Sequence, residues 1–121
     1  MVHLDKEVYR RSLRDLARVE LRHKVKEAWE FLAASPSSIS QWNFVSLLTK
    51  LLAVARQVVN YADGPSDDYA QAANTILRAG GKLFLGLRRG EILFPSDALV
   101  EEFKESLKAF PEDNDNLSSS I

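Results

Sequence analysis

Pro36, Pro65, Pro95 and Pro111 sit in polar or turn-like surroundings and cut the chain into four segments and a tail. Proline has no backbone N–H and its ring clashes with the preceding helical turn, so none of the four fits a helix interior. The runs between them are rich in good helix formers and carry apolar residues at spacings of three and four. The prediction is an all-α chain: a compact four- or five-helix bundle with a long N-terminal helix and a disordered acidic C-terminal tail. At 121 residues one core suffices. Residues 1–110 are expected to form a single helical domain and 111–121 the tail.

The first segment, about residues 5–34, has no internal glycine or proline. The second is expected to start near Ser38, with Ser38 and Gln41 at capping-box spacing, and to end near Ala62. The third opens with Ser66 as N-cap and Asp67 and Asp68 in the first turn. Its apolar spacing runs through Gly80-Gly81 toward Arg89, with a stop at Gly90, and the glycines are expected at a close packing contact. The alternative is a hairpin over residues 82–94, and the helix is the preferred reading. Ser96 and Asp97 open the last helix, whose Leu99, Val100, Phe103, Leu107 and Phe110 share one face.

Absence of cysteine removes disulfides, thiolate metal sites and thiol nucleophiles. The first residues lack the pattern of a signal peptide, and the most apolar stretch, residues 44–59, is interrupted by Ser46, Thr49, Lys50, Arg56 and Gln57. A cytoplasmic protein away from membranes is the expectation. The net charge of −1 conceals an asymmetry. Residues 10–26 hold seven Lys or Arg against Asp15 and Glu20, a balance of +5, whereas residues 91–121 hold eight acids against Lys104 and Lys108, a balance of −6. Such segregation suggests charge-guided docking.

Within the first segment, steps of four read Tyr9, Leu13, Ala17, Leu21, Val25, Trp29, and one place later Arg10, Arg14, Arg18, Arg22, Lys26. A helix turns about 100° per residue, so each step overshoots by about 40° and both ladders wind around it. The apolar side is Val8, Tyr9, Leu13, Leu16 and Val19 at first, then Leu21, Val25, Ala28, Trp29 and Leu32, nearly opposite. The two halves must therefore contact different things, or the helix must bend near residues 19–21. The second half, with Trp29 and Leu32, reads as core. The first half is left to meet the acidic last helix, a second copy or another molecule. Its candidate partner-binding residues are Arg10, Arg11, Arg14, Arg18, Arg22 and Lys26 with Val8, Tyr9, Leu13 and Leu16. Guanidinium groups on one face suit an acidic protein surface or the phosphates of a nucleic acid; a solvated face with pairs such as Glu7 and Arg11 is the bland alternative.

Arg18 and His23 are separated by four residues. This spacing resembles the active site of the HEPN ribonucleases, also small helical domains. The resemblance covers six residues, lacks the usual polar residue after the arginine and lies early in the chain. It would imply Arg18 stabilising phosphorane charge and His23 moving a proton. In size and helical architecture the chain is also similar to the small subunits of CRISPR effector complexes, which line a nucleic-acid path. The glycines around Lys82 and Arg88-Arg89 lack P-loop spacing, and Asp63, Asp67 and Asp68 lack EF-hand spacing. The reading that follows is a non-catalytic binding or assembly subunit, with no cofactor or metal, that docks an anionic partner through its first helix.

Overall fold

A computed structural model of the chain describes residues 2–34 and 36–111. The tail expected to be disordered lies, but for Pro111, outside the described residues. Four helices follow one another: α1, Val2–Ala33; α2, Gln41–Asn60; α3, Asp68–Arg89; and α4, Ala98–Lys108. A 3₁₀ turn, Ser38–Ser40, leads into α2. No strand occurs among the described residues, so residues 82–94 form no hairpin. No helix of these is long and apolar enough to cross a membrane.

The helix ends follow side-chain chemistry, with one departure from the sequence reading. The N-cap of α3 is Asp67 and not Ser66: its carboxylate accepts the Tyr69 and Ala70 N–H groups at 2.9 and 3.2 Å. At the start of α2, residues 38–40 wind as a 3₁₀ turn, and Ser40 stands at the N-cap position without a side-chain capping bond. Asp97 caps α4 through the Leu99 N–H at 2.9 Å. At the far end of α3, Gly90 takes the left-handed conformation, φ 68°. The Glu91 N–H then reaches the Gly86 carbonyl and the Gly90 N–H that of Leu87, the paired bonds of a Schellman stop.

α1 packs along α2, α2 along α3, and α3 along α4, while α4 touches α1 to close the ring; α3 thus stands diagonally across from α1. Phe44 is fully buried at the centre, with the rings of Phe31, Phe94 and Phe103 at 5.6, 5.2 and 6.0 Å. Gly80 permits this closeness. A Cβ there would stand 2.7 Å from Leu52 Cδ2 and 3.2 Å from Phe103 Cε1, so α3 approaches α2 and α4 where no side chain fits. Gly81, by contrast, faces open space.

Some apolar residues lie farther out than their spacing implied. Trp29, expected in the core, is 36% exposed and lies 5.6 Å from the Lys108 ammonium, because only Leu21, Ala28 and Leu32 of this half point fully inward. Ile39 and Trp42, at the entry to α2, are 89% and 66% exposed.

Candidate interaction surface

The 32 residues of α1 span about 48 Å and the 20 of α2 about 30 Å. Antiparallel packing over a short connection leaves the beginning of α1 extending past the end of α2, beside the turn formed by residues 61–67. Arg10, Arg14 and Arg18 lie within about 60° of the direction of Leu21 on the helix. One helical side therefore buries Leu21, Ala28 and Leu32 in the core and, earlier in the chain, turns arginines toward that turn. The two halves of α1 do contact different things within a single uninterrupted helix.

The counter-charges are Asp63 and Asp67. Arg14 donates to both carboxylate oxygens of Asp63 at 2.9 Å, and Arg10 and Arg18 each reach it at 3.4 Å. Arg18 donates to Asp67 at 2.9 Å, whose carboxylate also accepts the Asp63 N–H at 3.0 Å. The Asp67 side chain is only 3% exposed, and those of Arg14 and Arg18 are 19% and 18%. The Arg18 guanidinium lies 4.3 Å over the Tyr69 ring, and that ring meets Phe110 edge-on at 5.8 Å. Hydrogen bonding from Arg14 holds the Asp63 carboxyl below its ordinary range, against some desolvation. Burial pushes the Asp67 carboxyl up, but the Asp63 and Ala70 N–H groups and Arg18 outweigh it and leave it lowered. Glu7 bonds both Arg10 and Arg11, and Asp15 bonds Arg14 at 2.9 Å. Four arginines, Arg10, Arg11, Arg14 and Arg18, thus face four carboxylates, Glu7, Asp15, Asp63 and Asp67. This part of the basic ladder is neutralised within the molecule, by Asp63 and Asp67 of the turn before α3 and by Glu7 and Asp15 of α1 itself, and not by the acidic residues of α4.

Arg22 is half-buried, and Lys26 is exposed with no carboxylate within 4.0 Å among the described residues. His23 is exposed and lies about 140° around the helix from Arg18, which is already engaged by Asp67 and Tyr69. Among the described residues no three His, Asp or Glu gather as metal ligands.

The apolar members of the candidate set have no such internal partners. Val8, Tyr9 and Leu16 are 54%, 67% and 54% exposed, and Val19 joins them at 44%. Leu13 is half-buried at the edge of an open groove of about 280 Å³ between α1 and α2, which Leu16, Ala17, Ala53, Val54 and Tyr61 also line. The sequence reading missed Asp63 and Asp67 as partners of the ladder. Helix length held the clue: folding α1 back on α2 about a connection near residue 37 sets Asp63 opposite residues 10–14. No protein-family model, curated protein or solved structure matches the chain.

Proposed function

We propose that the protein is a non-catalytic assembly subunit that pairs with a second copy of itself through the solvent side of α1. The observation that carries this reading is a seam of seven-residue repeat. Asp5, Tyr9, Ser12, Leu16, Val19 and His23 follow one another in alternating steps of four and three, and all six are exposed. Such steps keep residues on one stripe that a second helix can cover, knobs into holes. An antiparallel second copy fits it best. Tyr9 then meets Val19 of the other copy, Ser12 meets Leu16, and Asp5 at each end meets His23. Large side chains face smaller ones, and opposite polarity closes both ends. With Arg10, Arg14 and Arg18 committed to Asp63 and Asp67, apolar contact and not anion capture drives the pairing.

Sedimentation velocity over a wide concentration range tests this. The expected result is a coefficient that rises with concentration, and a Leu16→Glu variant that stays at the monomer value with unchanged helicity. A monomer at every concentration, or a dimer indifferent to Leu16→Glu and Tyr9→Glu, overturns it.

A further inference from the structure

Among the described residues a run of unmatched positive charge lies on α3, diagonally across from α1. From Tyr69 to Gly90 the sequence contains Arg78, Lys82, Arg88 and Arg89 and not one Asp or Glu. All four are exposed. Among the described residues no carboxylate comes within 4.0 Å of Arg78, Arg88 or Arg89, and only Lys82 has a partner, Glu102 of α4 at 3.2 Å. The contrast with α1 is the informative point, since there every arginine from Arg10 to Arg18 is matched. Arg56 of α2 extends the patch. Leu52 packs at Gly80, so Arg56, exposed and one helical turn further along α2, falls toward the α2 border of this face.

We infer that the outer face of α3, with Arg56, is a docking surface for the sugar-phosphate backbone of a nucleic-acid duplex. The surface is extended, with about 16 Å of helix between Arg78 and Arg89, so it suits a line of charges and not a single anion. Guanidinium groups pair with phosphate oxygens in bidentate fashion. Gly81, with open space where its side chain would be, lets a backbone approach closely. The α4 border is acidic, with Glu102 and Glu105 beside Arg78 and Lys82 in one groove, which turns a polyanion toward Arg56 and the α2 side. No exposed aromatic ring stands on this face: Phe84 is half-buried with the Arg88 guanidinium 5.7 Å above it, and the exposed apolar residue is Leu85. Single-strand binding leans on base stacking, which is missing here, so paired strands held by phosphates alone are the matching ligand.

Fluorescence anisotropy with a short labelled DNA duplex of mixed sequence tests the inference on the full chain. Three to four phosphate contacts give a log–log salt slope of about −3, so affinity falls roughly 60-fold between 50 and 200 mM salt. Arg78→Glu with Arg89→Glu is expected to abolish binding. Lys6→Glu with Lys26→Glu makes the same charge change on α1 and is expected to leave it within about threefold, as a face remote from the contacts requires. No binding at 50 mM salt, equal loss in the two pairs of substitutions, or tighter binding of a glutamate-rich peptide than of the duplex would each overturn it. Because none of these residues lies on the α1 seam, failure here leaves the sedimentation result unaffected.

Discussion

Replacing Asp67 by alanine removes four polar contacts at once. Its carboxylate caps α3 through two N–H groups, accepts a third from Asp63 and binds Arg18. Loss of an N-cap costs about 1 kcal/mol. A hydrogen bond to a charged group contributes about 1.5–3 kcal/mol, here toward the low end because Arg18 keeps some access to water and a longer contact with Asp63. The expected loss is about 2–3 kcal/mol. Urea unfolding followed by circular dichroism at fixed pH reads this as a midpoint lowered by more than about 1 M, for a slope near 1.5 kcal/mol per M. Asp67→Asn separates the two parts. It retains a capping oxygen and forfeits the charge, so about half the loss is expected. Ser66→Ala, at the neighbouring exposed position, should stay within about 0.5 kcal/mol of the parent. A loss below about 0.5 kcal/mol for Asp67→Ala, or a larger one for Ser66→Ala, would refute both the cap and the clamp.

The same carboxylates set the response to acid. Asp63 and Asp67 sit below the ordinary aspartate value of 3.8, so the stability they add is complete above that value and is lost as pH falls through their folded values; the urea midpoint should decline across that range and the decline should shrink in Asp67→Asn. Adjacent glycines in α3 should respond oppositely to alanine. Gly80→Ala forces Leu52 and Phe103 aside and should destabilise by about 1–2 kcal/mol after helix propensity is credited. Gly81→Ala meets no atom within 4 Å and should stabilise by about 0.5–1 kcal/mol in the same thermal or urea titration.

Local signals marked most of the architecture. Pro36, Pro65 and Pro95 fall between helices as their chemistry demands, the spacing through Gly80 and Gly81 is helical, and Gly90 ends α3 in the left-handed conformation. These depend on neighbours a few residues away, which a single sequence contains in full. An error arose where two neighbouring candidates competed, Ser66 against Asp67, since either residue type can cap and the choice depends on where the incoming turn lies. The destination of the arginine ladder was harder to read. Arg14 and Asp63 are 49 positions apart, and their meeting depends on the relative lengths of α1 and α2, a tertiary quantity. Trp29 illustrates the remaining gap: helical spacing gives the direction of a side chain but not how far the neighbouring helix extends to cover it.

Arg18, Tyr69 and Phe110 form a stack drawn from the first helix, the start of the third and the chain just beyond the fourth. Helical hairpins close short loops and so pay little entropy, whereas this stack joins positions some ninety residues apart and cannot form until both hairpins have met. It acts as a latch on a structure otherwise zipped together from neighbours. Shortening the chain to remove Phe110 would therefore loosen the opening turns of the molecule, at the other end of the polypeptide, before it disturbed the centre around Phe44.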